Sequence, residues 1–190
     1  FAEVYEDERH QGYHALIDEL ESELVVRRGA GQRCLELGCG TGLILQRVAE
    51  VASEAKGIDL SEGMLDKARA RGLDVRQGSV DDLPYDDASF DLVYSFKVLA
   101  HVPDIRKTLR EAARVTRPGG RLLLEFYNPL SLRYLARRAV GSRAIGTRFK
   151  EHDVFTRWDT PWQIKSFLPD ELEWVDTHGV RVWTPVAAAH

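Results

Sequence analysis

Apolar and polar positions follow two different periods along this chain. Five short apolar runs have the length and the bounding turn residues that are typical of buried strands. They occupy residues 34–37, 55–58, 73–76, 92–96 and 122–126. The stretches between these runs carry apolar residues at helical spacing. This alternation predicts an α/β fold, with a doubly wound, mostly parallel sheet and helices on both faces.

Residues that favour helix ends delimit the predicted helices. An amphipathic helix at residues 13–26 precedes the first strand. Its apolar side is formed by Ala15, Leu16, Leu20, Leu24 and Val25. Leu43 begins the next helix, Ser61 is a suitable N-cap for a third, and Gly72 ends that third helix. Asp104 is the N-cap of a helix that closes before Pro-Gly-Gly at residues 118–120.

The pattern becomes less regular after residue 126. It predicts a helix at residues 131–140, an irregular stretch to residue 159, and a short helix beginning near Pro161. Residues 172–184 are extended in pattern and interrupted at Gly179. We interpret them as one final strand in preference to a two-stranded hairpin.

Composition narrows the class of protein. A chain of 190 residues with 44% hydrophobic and 29% charged residues is typical of one globular domain. The net charge of −4 argues against a nucleic-acid backbone as the main partner and favours a small molecule. One local basic stretch comprises Arg133, Arg137, Arg138, Arg143, Arg148 and Lys150. We interpret it as a solvated face, with an anionic ligand or a membrane surface as the alternative.

Targeting and cysteine usage add little to this picture. No apolar run approaches the roughly 20 residues of a membrane span, and no signal peptide opens the chain. The cytoplasm is therefore the expected location. Cys34 and Cys39 have no second pair and no nearby histidine, so we expect reduced packing residues and no metal.

A glycine-rich turn follows the first predicted strand. Residues 36–42 read Glu-Leu-Gly-Cys-Gly-Thr-Gly and run into a helix, as in turns that bring a ligand close to the backbone. Leu43 and Leu45 stand where a dinucleotide fingerprint requires glycine. The carboxylate of Glu36 attracts an ammonium and a sulfonium but repels a pyrophosphate. Both observations weaken the interpretation as a nicotinamide-binding turn.

Later motifs follow this turn in a recognisable order. Asp59 ends the second strand 21 residues after Gly38, and residues 78–84 and 89–93 form a third block. Residues 117–120, Arg-Pro-Gly-Gly, complete the series. Over residues 33–126 the chain resembles the class I S-adenosylmethionine-dependent methyltransferases. The resemblance implies a Rossmann-like methyltransferase fold, S-adenosyl-L-methionine as cofactor, S-adenosyl-L-homocysteine as product, and a small-molecule acceptor.

The resemblance also implies the cofactor contacts. Asp59 would hold both ribose hydroxyls, and Leu60 and Met64 would lie against the adenine ring. Ser79 stands where many relatives carry an acid, so the contact to the adenine amino group is weaker or falls to Asp81, while Val80 offers its backbone N–H. The full predicted set is Tyr5, Tyr13, Glu36, Gly38, Cys39, Gly40, Asp59, Leu60, Met64, Ser79, Val80, Asp81 and Phe96.

Methyl transfer is an in-line displacement that needs close, collinear positioning of the acceptor atom. A general base is needed only for a hydroxyl or a protonated amine, and His101 is the first candidate, with His152 the second. A structural role is the alternative for either histidine. The predicted acceptor pocket comprises Tyr127, Asn128, Trp158, Trp162 and the loop at residues 141–159. The two tryptophans could equally pin this region to the sheet.

The predicted organisation is a single domain at residues 1–190. Residues 1–32 form an N-terminal helical lid, residues 33–126 the cofactor-binding core, and residues 127–190 the acceptor-site elaboration and last strand. The family's sheet has seven strands, and this chain offers about six. We therefore expect either a continuation past residue 190 or a hairpin at residues 172–184. A nicotinamide-dependent oxidoreductase and a non-catalytic cofactor-binding module remain alternatives, and the oligomeric state stays open.

Overall fold

The computed structural model of the chain describes residues 12–131, 134, 144–145, 149–150 and 155–177. Side chains are described at residues 16–131, 134 and 155–177. Tyr5 and His152 lie outside the described residues. Tyr13 lies on the first helix, and its side chain is outside the described part.

Five parallel strands form the main sheet. They are β1 (Arg33–Leu37), β2 (Glu54–Asp59), β3 (Asp74–Gln77), β4 (Phe90–Ser95) and β5 (Thr116–Leu124). Their order across the sheet is β3-β2-β1-β4-β5. The chain therefore moves outward in one direction from β1 to β3 and then returns to place β4 on the other side of β1. In such sheets ligands bind beyond the carboxyl ends of the strands at this point of reversal.

Helices cover both faces of the sheet, as predicted. They are α1 (Gly12–Gly29), α2 (Leu43–Ala49), α3 (Glu62–Ala70), α4 (Ile105–Val115) and α5 (Pro161–Phe167). On one face Val25 of α1 and Val48 of α2 pack with Leu92 of β4. On the other face Leu109 of α4 packs with Val93 of β4. The side chains of neighbouring β4 residues thus pack on opposite faces of the sheet, so the strand is buried on both sides.

Two predicted N-cap residues, Asp104 and Ser61, differ in whether their side chains make a capping hydrogen bond. The carboxylate of Asp104 accepts a hydrogen bond from the backbone N–H of Lys107 at 3.0 Å and caps α4 as expected. Ser61 occupies the N-cap position of α3, but its side chain makes no capping hydrogen bond. Its backbone N–H instead donates to Asp59. Ser61 is therefore the N-cap residue of α3, as predicted, but without a side-chain capping bond.

Helix α1 is present, and Val25 of its predicted apolar side is fully buried, but two other residues of that side are exposed. Leu16 and Leu20 are 53% and 44% exposed, whereas Ile17 and Glu21 are 3% and 0% exposed. Hydrophobic spacing alone placed the leucines inward. The actual face is rotated because a buried ion pair, described below, holds Glu21 against the sheet.

The region after β5 departs from the prediction in two places. Residues 155–160 are irregular and α5 begins at Pro161 as expected, but Ala144–Ile145 and Phe149–Lys150 form a short antiparallel pair, β6 and β7, which was not predicted. Residues 172–177 form no strand. The rest of the predicted final strand, and most of the predicted helix at residues 131–140, lies outside the described residues.

Candidate functional site

The glycine-rich loop at residues 38–42 and the end of β2 are held together by Asp59. Its Oδ2 accepts a hydrogen bond from the backbone N–H of Gly40 at 2.9 Å. Its Oδ1 accepts one from the N–H of Ser61 at 2.8 Å. A carboxylate has about four lone-pair positions, so each oxygen of Asp59 keeps room for a further donor. The side chain is fixed at the strand end and can still accept hydroxyl hydrogens.

Two glycines of this loop meet different surroundings. Gly38 has a φ of +73°, and a Cβ built on it would lie 2.3 Å from Cγ2 of Val98. Gly40 has a φ of +54°, and a Cβ on it would meet no atom within 4 Å. Gly38 is therefore required for packing against the segment after β4. Gly40 instead exposes bare backbone to open space, as a close ligand approach requires.

Glu36 forms a buried acidic floor below this loop. Its side chain is 4% exposed, and Oε2 accepts a hydrogen bond from the Tyr94 hydroxyl at 3.2 Å. Burial raises the pKa of Glu36 to about 8, although the Tyr94 hydrogen bond and the charge of Lys97 oppose that rise. A cation placed beside Glu36 would favour its ionised form. The predicted affinity of this site for an ammonium group thus has a physical basis.

A buried ion cluster that the sequence analysis missed joins α1 to the end of β4. Nζ of Lys97 pairs with Asp18 and, at 2.6 Å, with Oε2 of Glu21, which is fully buried. The backbone N–H of Lys97 donates to Oε2 of Glu125 at 2.6 Å. Lys97 has a φ of +64°, which is uncommon for a side chain of this size. Acids at positions 18 and 21 lie one helical turn apart, and that spacing was the available signal.

The loop after β3 presents polar groups beside the same crevice. The Ser79 hydroxyl donates to Oδ1 of Asp81, and Nζ of Lys107 lies 3.7 Å from Oδ2. The Ser79 hydrogen bond, helped by Lys107, lowers the pKa of Asp81 below its ordinary value. The backbone N–H of Val80 makes no hydrogen bond within the described part of the chain. Leu60 is 68% exposed, so its apolar surface is available to a flat ring.

Three residues that were predicted to contact the cofactor have buried side chains. Cys39, Met64 and Phe96 are 7%, 6% and 8% exposed. Burial raises the pKa of the Cys39 thiol, and it raises that of Cys34 to about 11. Both cysteines are free and buried, as expected of packing residues. At these buried positions little side-chain surface is left for a ligand, and their contact roles stay predictions.

His101 lies in a 3-10 turn, Leu99–His101, just beyond β4. Its Nδ1 is 2.9 Å from the carbonyl oxygen of Phe155. A carbonyl can only accept, so Nδ1 carries the hydrogen, and Nε2 of the neutral ring is left with a lone pair. The turn lies close to the glycine-rich loop because Val98, just before it, packs against Gly38.

Aromatic side chains continue from His101 towards the C-terminal region. The ring of Tyr127 lies edge-on to His101 at 6.2 Å between centroids and 5.3 Å from the ring of Trp158. Tyr134 is 4.8 Å from Trp158 on the same measure. Asn128 accepts from the backbone N–H of Leu130 at 2.9 Å and shapes the local turn. Three of these rings therefore form one wall beside His101.

Trp162 makes no ring contact with that wall among the described residues, and it is 71% exposed. Sequence analysis grouped it with Trp158 in the predicted acceptor pocket. The helix α5 turns its indole outward instead, while Ile164 of that helix is buried. Trp162 as an acceptor-pocket residue thus stays a prediction without a contact to support it.

The crevice matches a cofactor that combines a cation with a nucleoside. The open space beside Gly40, the remaining acceptor positions of Asp59 and the unbonded N–H of Val80 suit a ribose and a heterocycle. Thr41 adds a buried hydroxyl without a hydrogen-bond partner in the described part. Glu36 supplies the negative charge for an ammonium group. The residues present thus fit S-adenosylmethionine.

Among the described residues, no group of three or more His, Cys, Asp or Glu side chains is placed to hold a metal ion. None of the helices in the described ranges has the length and apolarity needed to cross a membrane.

Comparison with known proteins agrees with this geometry. Residues 35–124 match the sequence model of the methyltransferase domain family. The chain is 40% identical over 121 residues to 27-O-demethylrifamycin SV methyltransferase of Amycolatopsis mediterranei, covering 57% of this chain and 43% of that protein. It is 39% identical over 106 residues to the ubiquinone biosynthesis O-methyltransferase of Xanthomonas oryzae, covering 52% and 44%. The chain therefore spans less than half the length of these relatives.

A solved structure extends the likeness to the fold. The S-adenosylmethionine dependent methyltransferase from Mesorhizobium loti superposes with a TM-score of 0.64 at 25% identity, covering 80% of this chain and 78% of that one. The sheet and helices described above for the present chain are thus of the class I methyltransferase type. Over residues 35–124 the chain is therefore similar to S-adenosylmethionine-dependent methyltransferases in sequence, and over most of its length in fold.

Proposed function

We propose that this protein transfers a methyl group from S-adenosylmethionine to a hydroxyl oxygen of a small-molecule acceptor. The observation that carries the proposal is the hydrogen bond of His101 Nδ1 to the carbonyl oxygen of Phe155, which leaves Nε2 of the neutral ring as a proton acceptor just after Val98, the residue that packs against Gly38. When bound, the cofactor supplies a methyl group already activated on a sulfonium. The protein's own task is to hold the two reactants in line and to accept the hydroxyl proton.

The cofactor is held by groups at three strand ends. Asp59 accepts from the ribose hydroxyls while Gly40 keeps it in place. Glu36 faces the ammonium group, and this cation favours the ionised form of Glu36 against the burial that raises its pKa to about 8. Ser79, Val80 and the carboxylate of Asp81 address the adenine edge, as the resemblance implies. Each of these roles is a proposal for its residue.

The acceptor site lies on the side of His101 that carries aromatic rings. Tyr127, Tyr134 and Trp158 form a wall that suits a planar or apolar acceptor. The acceptor hydroxyl would then lie within reach of Nε2 of His101. Two relatives named for methylated oxygens, in a rifamycin and in ubiquinone biosynthesis, support this choice of acceptor atom.

The chain is proposed to act as one domain in three parts. Residues 33–126 bind the cofactor, residues 1–32 cover its methionine end, and residues 127–190 complete the acceptor site. The ion pairs of Lys97 support the role proposed for residues 1–32, because they hold α1 against the end of β4. Helix α1 is therefore anchored to the strand end from which the site is built.

Calorimetric titration with S-adenosylmethionine and S-adenosylhomocysteine tests the cofactor assignment, with NAD as the control ligand. We expect saturable binding of the first two alone. Binding of NAD would favour the oxidoreductase alternative instead. Binding without transfer to any hydroxyl acceptor in a panel of phenols and aliphatic alcohols would favour the non-catalytic module.

A substitution at His101 tests the acceptor chemistry. His101→Asn should lower kcat for a hydroxyl acceptor by about 10²- to 10⁴-fold, the range typical of a general base. Its affinity for S-adenosylmethionine should stay unchanged, because no cofactor role is assigned to this ring. An unchanged kcat would reject His101 as the base and leave the cofactor assignment intact.

A further inference from the structure

A bulge in β5 opens a cleft at the end of the sheet opposite the glycine-rich loop. Asp91 of β4 lies opposite residues 117–120 of β5, because the register shifts between its two neighbours. Gly119, within the bulge, has a φ of +75°. The cleft beside it has a volume of about 260 Å³. Bulges often recur beside functional sites, where they redirect side chains.

Arginine side chains dominate the lining of this cleft. Arg28 reaches it from the end of α1, and Arg117 and Arg121 reach it from β5, with Asp91 beside them. The guanidinium of Arg28 donates to the carbonyl oxygen of Leu24 at 2.8 Å, while Arg117 and Arg121 bring two further guanidinium groups to the lining of the cleft. We call the surface formed by these residues the arginine cleft.

The single carboxylate is already shared between two arginines. Oδ1 of Asp91 accepts from Nη2 of Arg33 at 3.0 Å and from Nε of Arg117 at 2.6 Å. These hydrogen bonds, first of all those from Arg33, hold the pKa of Asp91 well below its ordinary value, so the group stays ionised. One negative charge therefore has to balance both Arg33 and Arg117, and Arg121 adds a further positive charge to the lining of the cleft.

Arg121 contributes most directly to the positive charge of the cleft. Within the described part of the chain it has no ion-pair partner, and it is exposed at the start of the paired segment after the bulge. The chain as a whole carries a net charge of −4. The positive cleft is therefore not a consequence of a basic composition. A concave surface lined by one sign of charge concentrates ions of the opposite sign.

We propose that the arginine cleft binds a phosphoryl group. Guanidinium groups match phosphate oxygens with paired, charge-assisted N–H donors. The volume of about 260 Å³ suits one or two phosphoryl groups, since pockets for larger ligands start at roughly 300 Å³. Asp91 and Phe96 are five residues apart on or just beyond β4, which separates the cleft from the cofactor crevice by roughly 16 Å of strand. The cleft is thus a second site, and it does not depend on the proposed methyl transfer.

Calorimetric titration of the full chain with inorganic pyrophosphate tests this site. The informative variant is Arg121→Gln, and the matched control is Arg47→Gln, which removes an exposed arginine of α2 that does not line the cleft. We expect one saturable site that Arg121→Gln weakens about tenfold or more, because a charge-assisted hydrogen bond is lost. Arg47→Gln should bind as the unsubstituted protein does. Thermal melts of both variants establish that they are folded.

Co-sedimentation with phosphatidylglycerol vesicles distinguishes the two sources of a phosphoryl group. Vesicle binding that Arg121→Gln reduces would assign the site to a lipid headgroup. Pyrophosphate binding without co-sedimentation would assign it to a small free anion, and either result supports the proposal. The proposal is overturned if the unsubstituted protein binds neither probe, or if Arg47→Gln loses as much binding as Arg121→Gln.

Discussion

Gly38 and Gly40 stand two residues apart in the same loop and have different physical reasons to be glycine. Both have a positive φ, which any side chain would strain. At Gly38 a Cβ would also collide with Val98, so a side chain there would destabilise the folded protein. At Gly40 no atom lies within 4 Å of that position, so a Cβ would enter space where a ligand approaches. Sequence spacing identified both residues but could not separate these roles.

Gly40→Ala is predicted to lose cofactor binding out of proportion to its loss of stability. The positive φ should cost about 1 kcal/mol of unfolding free energy, while the new methyl group obstructs the cofactor. Gly72→Ala is a matched control, because Gly72 also has a positive φ of +78° and open space around it. Urea unfolding and calorimetry should show similar stability losses for the two variants, with binding reduced only in Gly40→Ala. Equal binding by both would mean that the open space beside Gly40 is not the cofactor's.

Asp59→Ala is predicted to weaken S-adenosylmethionine binding by at least about 100-fold. The change removes charge-assisted hydrogen bonds to the ribose, each of which contributes about 1.5–3 kcal/mol. It also releases the backbone N–H of Gly40 from Oδ2. Asp170→Ala, at an exposed carboxyl of the segment after α5, is the control and should bind normally. An affinity for Asp59→Ala within a few-fold of the unsubstituted protein would place the ribose elsewhere.

Helix α1 illustrates how an element can be predicted correctly while part of its buried face is predicted wrongly. Its leucines at positions 16 and 20 repeat at helical spacing, which predicts the helix but wrongly places these two side chains inward. The deciding contact is non-local, because Lys97 lies 76 residues after Glu21 and pairs with it. A buried carboxylate is costly without a partner, and a single sequence gives no sign of which lysine supplies the charge.

Lys97→Met is predicted to lower the unfolding free energy by about 3–5 kcal/mol, because Glu21 is left buried without this cation. Urea unfolding at neutral pH measures the loss. The double variant Lys97→Met with Glu21→Gln should recover part of it, since the stranded charge is removed. Lys56→Met is the matched control at a more exposed pair, whose Glu54 partner is 44% exposed. It should cost about 1 kcal/mol or less. If Lys97→Met lost no more unfolding free energy than Lys56→Met, the ion cluster around Lys97 would not anchor α1.

At the scale of the whole molecule, the parallel core was predictable because its signals are local. Apolar runs, caps and turn glycines each act within a few residues, and all five strands were located from them. Strand β5 begins at Thr116 rather than 122, because pairing to β4 extends through a bulge that no local pattern marks. The site residues on strand ends followed from motif order. Sequence analysis grouped Tyr127 with Trp158 as acceptor-pocket residues, but the contact of Tyr127 with His101 and that of Tyr134 with Trp158 depend on the fold and have no local signal.

Buried and paired carboxyl groups predict a maximum in stability at intermediate pH. The pKa of Asp91 is held below its ordinary value by Arg33, so its contribution is present above about pH 4 and is lost as the pH falls through the lowered pKa. The contribution of Glu36 to stability changes with pH in the opposite direction. Its pKa is raised by burial from 4.5 to about 8, so its contribution is complete below pH 4.5 and is lost as the pH rises towards 8. The free energy of unfolding should therefore fall from pH 5 to pH 8.

Glu36→Gln is predicted to abolish most of that fall. One proton bound more tightly in the folded state gives a slope of up to about 1.4 kcal/mol per pH unit. Glutamine keeps an oxygen for the Tyr94 hydroxyl but does not titrate. Urea unfolding between pH 5 and pH 8 measures the slope, with the exposed Glu50→Gln as the control that should retain it. If Glu36→Gln retains the same slope, Glu36 is already ionised in the unliganded protein. The site would then present a permanent negative charge, and binding a cationic cofactor would release no proton at neutral pH.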